Sequence, residues 1–382
     1  MIEEELRERF GTVVPPASRL RVDELVAGGR RSARRRRAFR VAGGAALAAG
    51  VLVAVPSFVR SGRGEPDPQV AAAGAIVRCE AAKLPVPAGL TQVELKAVDP
   101  TGRYVVGNDV HVSTKLTPEG KLDGIGTSHP VLWTGGSPTA LPLAGKKAVY
   151  AAGVNASGTV VASGGDDKTW DSVIRYTAGV PTELRLPAGD WEIHMFPSIN
   201  AAGDVVATVG PVGGPLFGGT TLLWKAGTTD ATVLPLPEGG ETQQLRDDGR
   251  IFGFRVSGAK GESSWVWDQR GAGTELKAPA GQTALLSAAR GDYATGTLSP
   301  SGAVGLWNVR TGAFDQVPIT APVAGVNDKG WMIIDSAVYR ADTDVTLAAV
   351  DGVTGTARDL SDTGTVIGTA GTNVPVQWSC AS

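Results

Sequence analysis

Seven copies of a short pattern run along this chain of 382 residues, and a chain repeating at that length has few ways to bury its apolar faces. Each copy holds a small polar residue, a turn ending in Gly, a β-branched run and an aromatic that closes a second apolar run. The turn glycines are Gly102, Gly158, Gly203, Gly249, Gly291, Gly330 and Gly364. Ahead of six of them stand Asp99, Asn155, Asn200, Asp247, Asn327 and Asp362; the fifth copy, around Ala289 and Arg290, lacks an acid or amide. The closing aromatics are Trp133, Tyr176, Trp224, Trp267, Trp307, Tyr339 and Trp378. The turn glycines fall 34 to 56 residues apart, the length of one blade in a ring of radial sheets.

Local chemistry supports that reading. An Asn or Asp at the turn bonds its own backbone two residues on, and Gly supplies the positive φ that reverses the chain. The β-branched runs suit half-buried strands. After each aromatic comes a Leu/Pro/Val segment, such as Leu141-Pro142-Leu143 or Leu234-Pro235-Leu236. Proline is tolerated in a sheet only at its edge, so these segments are expected to form the outer strands. The seventh copy ends at Trp378 without one, and the missing piece stands at the other end, from Leu84.

The chain has two cysteines, Cys79 and Cys380. Measured from the neighbouring aromatic and Leu, their positions match Gly135 and Gly136 of the first copy, neighbours in a hairpin turn. The expectation is an all-β, seven-bladed β-propeller over residues 76–382, closed by its N-terminal strand and a Cys79–Cys380 disulfide. Such a bond needs an oxidising compartment.

The first 75 residues offer a route there. Residues 41–59 carry no charge and as a helix would span about 28 Å, near the thickness of a bilayer core. Arg30, Arg31, Arg34, Arg35, Arg36, Arg37 and Arg40 precede them. That excess predicts a cytoplasmic tail (1–40), a transmembrane helix (41–59), a linker (60–75) and an extracytoplasmic propeller. A cleaved twin-arginine export signal is the alternative, giving a secreted scaffold. The tail carries eleven Arg against six acids, +5, which leaves −7 for the rest of a chain totalling −2. An acidic outer domain excludes nucleic acid as its natural partner, and a monomeric propeller is expected. In the tail, Ile2, Leu6 and Phe10 share one face at helical spacing and Leu25 belongs to a second candidate helix; these are the candidate contacts to a cytoplasmic protein.

Two resemblances follow. Asn200 to Val206 with Leu222-Leu223-Trp224, Asn155 to Val161 and Ser361 to Gly368 are similar to the bacterial HAF-type extracellular repeat, which implies an extracellular WD-like propeller. The layout of Leu6-Arg7-Glu8-Arg9-Phe10, Pro15-Pro16, Val22 to Val26, an arginine run and an Ala/Gly membrane segment resembles actinobacterial membrane proteins linked to extracytoplasmic-function sigma factors. That implies an anti-sigma-like role for the tail, with an envelope ligand outside and a sigma factor inside.

A search for catalytic groups returns little. His111, His129 and His194 are the only histidines, and none has metal-ligand spacing. No nucleophile elbow or phosphate loop occurs. The expectation is therefore no cofactor, no metal and no enzyme. Long loops on a rigid ring are where ligands usually bind. His111 and His129, flanking the insertion of residues 110–130, are candidate contacts, with Asp166, Asp167 and Asp171 and the glycine-rich insertion at residues 210–219.

Overall fold

The computed structural model describes residues 78–111, 126–166, 169–215, 217–256, 262–317, 319–340, 343–371 and 373–381. They form seven four-stranded antiparallel sheets and contain no helix. Among them there is accordingly none long and apolar enough to cross a membrane. The expected span at 41–59, the linker, the tail contacts Ile2, Leu6, Phe10 and Leu25, and Asp167 all lie outside the described residues.

Blade 1 shows the common plan. Its strands Val93–Val98, Tyr104–His111, Thr127–Thr134 and Ser137–Ala140 pair in chain order from the axis outward. The innermost strands of blades 2 to 7 are Ala148–Val154, Trp191–Ile199, Gly240–Leu245, Thr283–Arg290, Val323–Val326 and Gly355–Leu360. Blade 7 takes its outer strand, Arg78–Lys83, from the opposite chain end. Cys79 lies opposite Cys380 in that ladder and is bonded to it, with Cα atoms 4.0 Å apart. The expected closure is present.

Two expectations need correction. The Leu/Pro segments are not the outer strands; Leu141-Pro142-Leu143 follows Ser137–Ala140, and Leu84-Pro85 follows Arg78–Lys83. They carry the chain back across the sheet, where a missing N–H costs nothing. Their carbonyls have a use, because the closing aromatic of the next blade donates to them. Trp133 Nε1 reaches Pro85 O at 2.7 Å, Tyr176 Oη reaches Pro142 O at 2.7 Å and Trp224 Nε1 reaches Arg185 O at 3.0 Å. Trp307 and Trp378 do the same to Lys277 O and Ala348 O. Each aromatic thus buries a large ring between blades while its polar atom is satisfied. Trp267 departs from the rule: it stacks on Trp265, and its buried Nε1 has no partner.

The second correction concerns the turns. The residue that caps each innermost strand stands three positions before the turn Gly, so blades 4 and 7 are capped by Arg246 and Ser361, not by Asp247 and Asp362. In blade 5 the turn is one residue shorter than in blades 2, 3, 4, 6 and 7, and Arg290 holds the position, opposite Tyr293. Asn155, Asn200 and Asn327 each bond their own turn amides through Oδ1. Through Nδ2 they donate to the cap carbonyl of the following blade: Asn200 O, Arg246 O and Ser361 O. Asp99 keeps the first function, accepting from Thr101 N and Tyr104 N. The caps therefore stitch neighbouring blades together at one end of the ring.

Candidate functional site

Every innermost strand carries a β-bulge three residues before its cap. The ladder skips Lys96, Ala152, Gln243, Ser287, Ala324 and Arg358 in blades 1, 2, 4, 5, 6 and 7. In blade 3 it skips His194 and then a residue at Phe196-Pro197. A bulge re-aims a side chain, and seven at one level make a ring of side chains around the axis. The strand behind pays for the kink with small residues: a Cβ on Gly107 or Gly368 would lie 2.4 or 2.0 Å from a carbonyl oxygen. The bulge residues line a chamber of about 440 Å³ with Phe196, Gln244, Arg290 and Asp359.

Arg290 forms the floor of this chamber. From blade 5 it reaches across the axis, donating to Leu360 O in blade 7 at 2.8 Å and to Val98 O in blade 1 at 2.9 Å. It also lies 3.5 Å from Asp359 Oδ2. On its other side a second cavity, of about 470 Å³, is lined by the caps Asn155, Asn200 and Arg246 and by Asp248 and Asp292. Arg246 joins Asp248 and Asp292 at 3.0 and 3.3 Å, while its buried Nε and Nη1 have no partner. Desolvation opposes ionisation of Asp248 and Asp292, but their arginine partners hold both carboxyls below the ordinary range.

Charge is less settled in the chamber. Burial, and then the Arg358 charge, lower the affinity of Lys96 for its proton; Asp359 and Glu94 act in the opposite sense. Lys96 Nζ lies 5.9 Å from the ring centres of both Tyr150 and Phe196, which stack at 4.9 Å, with Trp170 edge-on to Phe196 at 6.2 Å. Burial and then Glu94 raise the Tyr150 phenol, with Arg358 opposing. Gln243 Oε1 is buried without a partner.

Sequence reasoning named none of this ring except through its glycines. It nominated loop residues, and the structure uses several of them locally. His111 Nε2 lies 2.8 Å from Asp109 Oδ2. Burial works against the Asp109 charge, but the amides of Gln92 and Thr91 and the His111 ring hold its carboxyl below 3.8. His129 stands opposite Asp109 in the ladder, with Nδ1 buried and unpartnered. Asp166 accepts from Thr169 N at 2.9 Å within its own loop. Asp171 is half exposed and reaches Lys146 at 3.4 Å. So His111 and His129 both stand beside Asp109 in blade 1, while Asp166 and Asp171 lie in blade 2. Among the described residues no group of three or more His, Cys, Asp and Glu could hold a metal ion.

The glycine-rich insertion of blade 3 is a held loop. Glu241 of blade 4, 1% exposed, accepts from Gly218 N at 2.7 Å and Gly219 N at 3.2 Å. His194, its side chain 5% exposed, packs beneath Gly210 and Gly219. Above this support Val212 and Phe217 are 55% and 50% exposed. Phe217 and Phe196 are the only aromatics among the exposed large apolar residues described, and both belong to blade 3.

The ring is that of a seven-bladed β-propeller, and solved structures share it. An oligogalacturonate lyase in complex with manganese matches with a TM-score of 0.53 at 12% identity, covering 81% of this chain and 98% of its own. An oligogalacturonate lyase from Vibrio parahaemolyticus gives 0.51 at 11%, covering 80% and 98%. The WD40 repeats of RRP9 give 0.50 at 10%, covering 79% and 97%. No family model matches the chain, and no curated protein matches it by sequence. These likenesses establish the fold. They also correct the expectation of a non-enzyme, since the ring is shared by oligogalacturonate lyases as well as by WD40 repeats. The physical reason is that a propeller gathers its central side chains from seven distant segments, so an absent linear motif excludes no activity.

Proposed function

We propose that this chain is an extracytoplasmic binding protein, anchored by its N-terminal segment, that receives a protein partner on the loop of blade 3. One observation carries the reading: Val212 and Phe217 are held outward on a loop fastened from below by Glu241. A rigid, exposed aromatic anchor loses little entropy on binding and is the kind of residue that dominates interface energies. Phe217 is further held edge-on to Phe254, with centres 6.3 Å apart. The Cys79–Cys380 bond supports an oxidising compartment, and the arginine-flanked apolar segment at residues 41–59 supports a membrane anchor reaching it.

The regulatory extension of this reading is that the tail, through Ile2, Leu6, Phe10 and Leu25, holds a cytoplasmic protein such as a sigma factor. It rests on the sequence resemblance alone.

The test places a photo-crosslinking side chain at Phe217 of the full chain in its native envelope, with Val180, at the opposite end of the ring, as control. The reading expects one discrete adduct from position 217, lost when Val212 is changed to Asp. Equal crosslinking from both positions, or none from 217, ends it. For the tail, alanine at Leu6 and Phe10 should abolish co-purification of the sigma factor from the full chain.

A further inference from the structure

We propose that the chamber at the level of the bulges is a binding site for a small carboxylate with an apolar body and a hydrogen-bond donor, held between Lys96 and Arg358. It lies apart from the blade-3 loop and stands or falls independently of a protein partner there.

The argument begins with the backbone. Lys96 and Arg358 occupy the same bulge position on adjacent blades, 1 and 7, so the two cations are set side by side toward the axis. Among the described residues neither makes a hydrogen bond or ion pair to an acid. The acid beside them is already engaged: Asp359 accepts from Val98 N at 2.9 Å through Oδ2, which also faces Arg290, and from Leu360 N at 2.8 Å through Oδ1. Glu94, two residues from Lys96 on the same strand, acts on both Lys96 and Tyr150 but forms no ion pair with Lys96. Lys96, half-buried, and Arg358, exposed at the same level, are adjacent cations without a bonded counter-charge, and together they can receive an anion.

The rest of the wall says which anion. Phe196 is 39% exposed and stacked on Tyr150, presenting an aromatic platform beneath Lys96. Gln243 Oε1, buried and unpartnered, is an acceptor and asks for an N–H or O–H on the ligand. Ser287 adds a hydroxyl at the same level. A chamber of about 440 Å³ admits a molecule of that kind. Inorganic phosphate would satisfy the cations but leave the platform unused. The burial and like-charge neighbour that lower Lys96's proton affinity are what a bound carboxylate would offset.

The probe is phenyllactate, with its neutral counterpart 3-phenyl-1,2-propanediol and inorganic phosphate as controls, titrated into the full chain by calorimetry. Millimolar binding of phenyllactate is expected, with the diol at least about tenfold weaker, as one charge-assisted pair requires. Lys96→Met and Arg358→Met should each cost at least about tenfold by the same reasoning. Their thermal midpoints, measured in parallel, exclude misfolding as the cause. Absence of phenyllactate binding, equal binding of the diol, or unchanged affinity in both variants overturns the proposal. Phosphate binding as tightly as phenyllactate overturns the assignment of a carboxylate with an apolar body.

Discussion

Two rings of side chains, three residues apart on the same seven strands, have opposite characters. At the caps, Asn155, Asn200 and Asn327 use both ends of their amides, and Arg290 spans the axis to bond two carbonyls. At the bulges, Lys96 and Arg358 face the chamber without an acid of their own and Gln243 leaves an acceptor bare. Unpaired buried polar groups are costly; among the described caps only Arg246 keeps them, at Nε and Nη1, whereas the bulge ring leaves Gln243 Oε1 bare and a half-buried Lys96 without a bonded acid. The difference assigns the caps to holding the blades and the bulges to meeting something else.

That contrast is sharpest at Arg290. Replacing it with Met removes the donors to Val98 O and Leu360 O and strips Asp359 of its cation. A loss of about 3 kcal/mol is expected, since unmade bonds to buried carbonyls cost on the order of 1–3 kcal/mol each. Urea unfolding would measure it; a change within error would mean that water substitutes freely and the floor is not structural.

The bulges can be attacked from behind. Gly368→Ala places a methyl against the Thr356 carbonyl, 2.0 Å from its oxygen, and should cost about 1–3 kcal/mol by overpacking. If it is tolerated, the bulge at Arg358 relaxes more easily than its geometry implies. A milder test of the other ring is Asn200→Ala, which frees Asp204 N and Arg246 O. A loss of about 1.5 kcal/mol in the same unfolding experiment is expected.

These two rings also separate what could be read in the sequence from what could not. Blade number, closing aromatics and the Cys79–Cys380 closure were legible because each repeats a residue type at a period set by the blade. The caps were half legible: Asn155 and Asn200 announce themselves, whereas Asp247 and Asp362 drew attention from Arg246 and Ser361, the true cap positions. The bulge ring was hidden, because one extra residue redirects a side chain without changing composition. Its trace was the glycine ending Tyr104-Val105-Val106-Gly107 and Thr365-Val366-Ile367-Gly368, read as strand but required by the kink behind it. The nominated loop residues have local bonds of their own: Asp166 accepts from Thr169 N within its loop, and His111 lies against Asp109 on its strand.

The smallest expected effect has the opposite sign. Lys96→Met removes a partly buried cation that faces Arg358 and has no bonded acid, so the variant should be more stable than the native chain at neutral pH. The gain should be on the order of 1 kcal/mol, the scale of relieving one partly desolvated charge. The pH dependence distinguishes this from a packing gain. Lys96 in the folded chain releases its proton below its ordinary 10.5, so between the folded and unfolded titrations the unfolded state holds more protons. Native stability therefore recovers as pH rises through the folded titration toward 10.5, and the advantage of the Met variant must shrink over that interval. Burial and Glu94 raise Tyr150 in the same chamber, which makes native stability fall above 10; Tyr150 is present in both proteins, so to first order the difference between them isolates Lys96. A Met advantage that stays constant from neutral to alkaline pH would mean that the lysine's charge carries no cost, and that the bulge ring differs from the cap ring in shape alone.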